Sequence, residues 1–348
     1  MKMRKKKATL ISTLLILMLV LATMTGCGGG GGGAAVDPDW PADWPTSITM
    51  SAGPMGGGWF TTLILLSELL TREMPQVSWT VIEGGGLGNI RLLQDGRDAQ
   101  IATAHVPVLG QAIDGTLTME GFEDVVFDNV RMGPAVGIAF VVAVTRYDSG
   151  VYTWGDIRGT RFSPGLATSG QIPIIVDILN LYGMNWDIIR AEGGLNFVNY
   201  AEQVALMQDR NLDVAVISGD MPNAGILEMQ THFPLRVLPF EDDILRQIQI
   251  DYPYMVIMPL SPERTGVETQ TEDIDVITLA STLAFSGVLP DTFVAEVTRI
   301  IMENADELRE QRPVLVQFDS DDWNLAINGA GIDDRWAAPG VLNALRAR

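Results

Sequence analysis

The chain has very few of the residues on which many catalytic and metal sites depend. It contains one cysteine, Cys27, and two histidines, His105 and His232, and all its lysines lie at or before Lys7. One cysteine excludes a disulfide framework, and two isolated histidines do not match the ligand spacing of a zinc site. A Walker-type or Schiff-base lysine is excluded beyond residue 7, and Ser169 has no evident partner base. We therefore expect no enzyme activity, no cofactor and no metal.

Long apolar runs are also scarce, and the one that is present lies at the start of the chain. Basic residues precede an apolar run at residues 10–23, which is followed by Cys27 after a small residue. This pattern predicts an export signal over 1–27. Its end, residues 24–27, resembles a bacterial lipobox, in which Cys27 would be lipidated after cleavage. An uncleaved anchor and a chance cysteine are the alternatives. Residues 28–46 are then a Gly-rich tether and linker, which places the protein outside the cytoplasm on the cell membrane.

Positive charge is scarce in the rest of the chain. Without the leader's five basic residues, 18 basic residues remain, all arginine, against 43 acidic ones, so the net charge is −25. An excess of carboxylates opposes nucleic-acid binding, which depends on a basic surface. We expect a soluble, acidic surface and no nucleic-acid partner.

From residue 48 onward, short β-branched runs alternate with glycine-rich turns and helical patterns, which indicates an α/β fold. The segments at 93–102 and 207–216 echo each other as a helix end, a turn and a buried strand. One such unit in each half predicts two lobes of like topology. The apolar strands at 136–145 and 274–285 are the expected crossings between them. The predicted boundaries are 47–138 plus 275–348 for lobe 1 and 139–274 for lobe 2.

Three turns carry more glycine and small residues than a connection needs, at 53–59, 83–89 and 168–171. Each follows a predicted strand and opens a predicted helix, where free backbone N–H groups and the helix dipole favour an anion. The alternative for each is a tight turn. The candidate ligand contacts in and around these turns are Gly57, Gly58, Trp59, Gly86, Leu87, Asn89, His105, Arg131, Arg161, Ser169, Gly170, Gln171, Asp220 and Asn223.

Several of these candidates have a specific expected role and a structural alternative. Trp59 is expected to pack on the ligand's carbon skeleton. Asp220 is expected to bind an ammonium group or to be a turn residue, and His105 to donate to a ligand carboxylate or to be a core histidine. Arg131 and Arg161 are expected to clamp a carboxylate, although pairing with nearby acids is the commoner fate of an arginine.

The ordered glycine motifs resemble the TAXI-type solute receptors of tripartite ATP-independent periplasmic (TRAP) transporters. The family's Gly-Gly-x-Tyr/Trp segment is similar to Gly57 to Trp59, and its Gly-Gly-Ser-x-x-Asn segment is similar to residues 84–89. Its Gly-Ser-Gly turn is similar to residues 168–170, and its Gly-x-Pro loop to residues 219–222. The chain departs from the family at Gly86, where serine is usual, and at Thr168, where glycine is usual.

The resemblance implies an α/β, two-lobed, periplasmic-binding-protein-like (type II) clamp with a ligand cleft between its lobes. It also implies capture of a small organic acid or amino acid, glutamate-like or dicarboxylate-like, for delivery to TRAP permease subunits in the membrane. A ligand-sensing lipoprotein coupled to a membrane signalling receptor is the alternative. A surface enzyme that binds a nucleotide at the glycine turns is a third reading, which requires measurable turnover.

Overall fold

The alternating pattern produces one mixed β-sheet in the computed structural model, which describes residues 40–117, 122, 125–252, 255–312 and 334–346. Its strands are β1 Ser47–Ser51, β2 Ser78–Ile82, β3 Ile101–His105, β4 Val130–Arg146, β5 Phe162–Ser163, β6 Val214–Gly219, β7 Leu235–Val237, β8 Val256–Leu260 and β9 Ile274–Ser286. Their order is β2-β1-β3-β9-β4-β6-β5, with β7 beside β4 and β8 beside β9. Strands β1, β2 and β3 are parallel, as are β5 and β6, whereas β9 and β4 pair antiparallel to their neighbours.

Helices fill most of the connections between these strands, which confirms the predicted α/β class. The described helices are α1 Gly58–Glu73, α2 Gly86–Asp95, α3 Val106–Ile113, α4 Ile172–Leu181, α5 Trp186–Glu192, α6 Tyr200–Gln208, α7 Ala224–His232, α8 Asp242–Asp251, α9 Pro262–Thr265, α10 Asp291–Glu303, α11 Ala305–Gln311 and α12 Pro339–Arg346. Helices α1 and α10 each bury a stripe of apolar residues at three- and four-residue spacing.

The two longest strands join the halves of the sheet. Strand β9 pairs with β3 on one side, and β4 pairs with β6 on the other. The two strands pair with each other from Val130 opposite Ser286 to Val141 opposite Ile277, with irregular register near Ala135. Nearly every residue of β4 is buried. The predicted crossings at 136–145 and 274–285 are therefore the central strands, although β4 begins six residues earlier than expected.

The structure does not reach the predicted targeting region. The signal at 1–27, Cys27 and the first part of the tether lie outside the described residues. Residues from Asp43 onward belong to one compact unit, so the lobe boundaries remain a prediction.

Candidate functional site

A cavity lies where the three glycine turns meet the central strands of the sheet. The volume that water molecules can enter is about 50 Å³, which is enough for only a few of them. We call the turns at 53–59, 83–89 and 168–171 the first, second and third glycine loops. The cavity is lined by Gly53, Pro54, Gly57, Gly58, Trp59, Gly85, Gly86, His105, Val136, Gly137, Ile138, Ala139, Ser169, Gly170, Gln171, Tyr200, Ser218, Gly219, Asp220, Ser281 and Arg312.

Most of the sequence-predicted site residues lie together in this lining. Strand β1 leads into the first loop, β2 into the second and β5 towards the third, so each loop sits at the carboxyl end of a strand. Open α/β sheets place their ligand sites at such strand ends. The predicted residues found in the lining are Gly57, Gly58, Trp59, Gly86, His105, Ser169, Gly170, Gln171 and Asp220.

The second and third glycine loops touch each other directly. The backbone N–H of Leu87 donates to the carbonyl oxygen of Thr168 at 3.2 Å. A Cβ atom on Gly86 would lie 2.7 Å from the Cα of Gly170, closer than real Cβ contacts. Glycine is therefore needed at residue 86 because two backbones approach there, beyond any need for a tight turn.

The expectation of a free backbone donor is wrong for Gly57 in the first loop. The N–H of Gly57 donates to the carbonyl of Pro54 at 2.9 Å, inside its own turn. Within the described ranges, no hydrogen bond uses the N–H groups of Gly86 and Gly170. Those two groups remain available to a ligand, whereas Leu87 is buried and its N–H is already bonded to Thr168.

Asn89 holds the second loop in place instead of lining the cavity. Its side-chain amide is fully buried and donates to the carbonyls of Ala52 and Thr103, each at 2.8 Å. Its oxygen accepts from Ser51 Oγ at 2.7 Å and from the N–H of Gly85. A buried amide with this many partners has no spare donor for a ligand.

Two predicted carboxylate clamps and one predicted polar contact also lie outside the lining. Arg161 pairs with Asp213, with its Nε 2.9 Å from Oδ2, and this pairing lowers the pKa of Asp213. Arg131 donates to the carbonyl of Val130 at 2.9 Å. Asn223 caps helix α7 by accepting from the N–H of Gly225 at 2.9 Å. The structure therefore gives Arg161, Arg131 and Asn223 other partners, away from the cavity.

His105 ends strand β3 and forms part of the cavity floor. Its ring packs against the indole of Trp59 with 4.6 Å between centroids, and its Nδ1 lies 3.3 Å from Ser281 Oγ. Burial lowers the pKa of His105 to about 3, because the charged form loses its solvation. The imidazole is therefore neutral at physiological pH and adds no positive charge to the cavity.

Asp220 and Arg312 are the charged residues of the lining, and they form an ion pair with each other. Burial raises the pKa of Asp220, while the guanidinium of Arg312 opposes that rise. A Cβ atom on Gly58, the first residue of α1, would collide with the carboxylate of Asp220. The side chain of Asp220 thus lies at the start of α1, where the sequence predicted an anionic ligand.

Four polar residues of the lining were not predicted from the sequence: Arg312, Tyr200, Ser218 and Ser281. Arg312 follows helix α11 and lies 92 residues from Asp220 in the chain, with no local motif to mark it. The hydroxyl of Tyr200 donates to the carbonyl of Ser218 at 2.6 Å, and burial raises its pKa to about 12. The Oγ of Ser218 is buried and has no partner among the described residues. Asn199 caps the start of helix α6, so the sequence marks where this helix begins, but it does not indicate that Tyr200 lines a cavity.

Other features of the described chain bear on metals and membranes. No group of three or more His, Cys, Asp or Glu side chains there is arranged to hold a metal ion. No single helix of the described residues has the length and hydropathy to cross a membrane. Helices α4 and α5 pass that test only as a pair bent by 76°, and α4 is mostly buried in the fold.

The fold and the cavity define an α/β protein with a cavity at the carboxyl ends of its strands. The chain belongs to the NMT1-like family, whose model matches residues 50–327, most of its length. A search of curated proteins found no significant match.

Among solved structures, three show the range of proteins that this chain resembles. The periplasmic aliphatic sulphonate binding protein SsuA from Escherichia coli is 16% identical, with 87% of this chain and 79% of that chain covered and a TM-score of 0.45. The substrate binding protein of an amino acid ABC transporter is 13% identical, with 80% and 98% covered and a TM-score of 0.45. The effector binding domain of QuiR in complex with shikimate is 10% identical, with 76% and 98% covered and a TM-score of 0.43.

Proposed function

We propose that this protein is the extracytoplasmic solute-binding receptor of a secondary transporter of the TRAP type and that it performs no catalysis. The observation that carries the proposal is the cavity lined by the second and third glycine loops, which meet through the bond from Leu87 to Thr168. A solute that touches both loops would favour their contact, and the closed form would signal occupancy to a permease. The TAXI-like order of the glycine motifs supports the TRAP assignment.

The proposed location is the outer face of the cell membrane, with the protein anchored through a lipid on Cys27. The basic start, the apolar run and the small residue before Cys27 support this placement. The glycine-rich segment after Cys27 would let the receptor reach a membrane partner.

For the ligand, the sequence predicted a small organic acid or an amino acid. The charges at the cavity favour the amino acid, because the one arginine of the lining is already neutralised by Asp220. A dicarboxylate would add two negative charges beside a partly buried carboxylate with no free cation among the lining residues. An amino acid adds a positive group as well.

A ligand-sensing lipoprotein that signals to a membrane receptor is the second candidate. It would use the same cavity and the same closure, so the two functions differ in their partner. A neighbouring gene for a multi-span TRAP permease supports transport, and one for a histidine kinase supports sensing.

A thermal-shift screen of amino acids, amines and organic acids tests solute binding, because a ligand that binds only the folded protein raises its melting temperature. The shift should vanish in Gly86→Asp, where the new side chain meets the backbone of Gly170. It should persist in Glu310→Gln, a change at an exposed residue. A shift that survives in well-folded Gly86→Asp would remove this cavity from the proposed function.

A further inference from the structure

Among the described residues, Asp220 is the only one that brings a carboxylate into the lining of the cavity. Its side chain is 31% exposed and lies against the start of helix α1. Burial raises its pKa, so the surroundings make the charged form costly unless a cation lies beside it. Arg312 pairs with Asp220 directly, and the charge of Arg264 favours the charged form of Asp220 more weakly.

Arg312 is an imperfect partner for that carboxylate. Its Nη2 bonds to Asp220, but its Nε is buried without a hydrogen-bond partner among the described residues. A guanidinium has five N–H donors, and a buried donor that is left unpaired reduces the stability of the arrangement. Another cation that satisfies its own donors could therefore replace Arg312 at Asp220.

The rest of the cavity wall suits a positively charged group. The lining also contains two aromatic residues, Trp59 and Tyr200, and aromatic rings attract cations. His105 is neutral and so does not repel a cation. The expected net charge of −25 also raises the local concentration of cations near the protein.

We infer that Asp220 is the recognition carboxylate for a positively charged nitrogen of the ligand, and that this group takes the place of Arg312. The inference rests on the proposed function and names its substrate class: small ammonium or guanidinium compounds, zwitterions included. In this arrangement Arg312 occupies the site when no ligand is bound, and it excludes dicarboxylates by keeping Asp220 charged and in place.

Two reciprocal variants, Asp220→Asn and Arg312→Gln, test the inference by isothermal titration calorimetry. Methylguanidinium and choline are the cationic probes, and succinate is the anionic probe. For the cations, we expect Asp220→Asn to weaken binding by at least about tenfold, because methylguanidinium loses a charge-assisted hydrogen bond and choline, whose nitrogen has no N–H, loses the opposite charge beside it. We expect Arg312→Gln to strengthen it, because the internal competitor is removed. Succinate should bind the parent protein more weakly than either cation.

The opposite signs are what make the test specific. Both variants break the same ion pair, so a shared folding defect would change binding in the same direction. Arg309→Gln is the matched control: it breaks the pair of Arg309 with Asp306 on α11, and neither residue lines the cavity. That variant should bind the probes as the parent does.

Two results would overturn the inference in distinguishable ways. Succinate binding that is lost in Arg312→Gln and improved in Asp220→Asn would make Arg312 the ligand partner, and the proposed solute receptor would still stand. If neither cationic nor anionic probes bind the parent at about 10 mM, which corresponds to less than roughly 3 kcal/mol of binding free energy, the proposed function falls with the inference.

Discussion

Replacing Gly86 by alanine tests whether the contact between the second and third glycine loops is a real constraint. The added Cβ would lie 2.7 Å from the Cα and 3.0 Å from the N of Gly170. Both atoms belong to the backbone, so the neighbour cannot move aside by changing a rotamer. The loops must separate, and the bond from Leu87 N–H to Thr168 O must lengthen or break.

The size of the effect follows from a comparison with Gly88, two residues further along the same helix. A Cβ atom on Gly88 meets nothing within 4 Å, so Gly88→Ala should raise the free energy of unfolding by about 0.5–1 kcal/mol through helix propensity. Gly86→Ala has a similar gain but adds overpacking of about 1–3 kcal/mol. If the loops part instead, the cost is about one hydrogen bond, 0.5–1.5 kcal/mol. We expect Gly86→Ala to be about 0.5–3 kcal/mol less stable than Gly88→Ala.

Urea unfolding of the two variants measures this difference directly. Small-angle scattering adds a second readout, because separated loops should increase the radius of gyration of Gly86→Ala relative to Gly88→Ala. Equal stability and equal radii in the two variants would refute the argument, since they would mean that the loops do not press against each other in solution.

Three further predictions follow from other parts of the chain. Cys27→Ala should release the protein from membrane fractions, and a cleaved variant that stays with the membrane would contradict the lipid anchor. The pKa of His105 is about 3 in the folded protein and 6.5 for an ordinary histidine. Between these two pH values the unfolded chain binds a proton at His105 and the folded protein does not. The free energy of unfolding therefore falls as the pH falls, by up to about 1.4 kcal/mol per pH unit. In His105→Gln, the free energy of unfolding measured with urea should depend less on pH between pH 6 and pH 4, with the slope reduced by roughly that amount. An unchanged slope would show that the histidine is not held neutral. Arg161→Gln should lower the free energy of unfolding by about 0.5–1.5 kcal/mol, since the guanidinium is partly exposed and its pair with Asp213 is screened. The ligand affinity measured by calorimetry should stay at the parental value. A large loss of affinity would show that Arg161 contacts the ligand.

The sequence determined the features that depend on local pattern. The β-branched runs, the glycine turns that follow them and the apolar stripes of α1 and α10 set the α/β class, because side-chain spacing and backbone freedom act within a few residues. The same logic placed three glycine loops at strand ends. Strands β5 and β6 run opposite to β1, β2 and β3, so their carboxyl ends point towards each other along the central strands β9 and β4, and the loops meet at one cavity.

Only the tertiary structure decided which polar side chains face that cavity. Asn89 turns inward to bind the backbone of β1 and β3, and Arg161 is held by Asp213, so two plausible ligand contacts have partners elsewhere. Arg312 reaches Asp220 across 92 residues. Such pairings depend on the order of strands in the sheet and on the path of distant helices, and neither leaves a periodic signal near the residues concerned. The sequence therefore located the cavity, and the fold determined its charge.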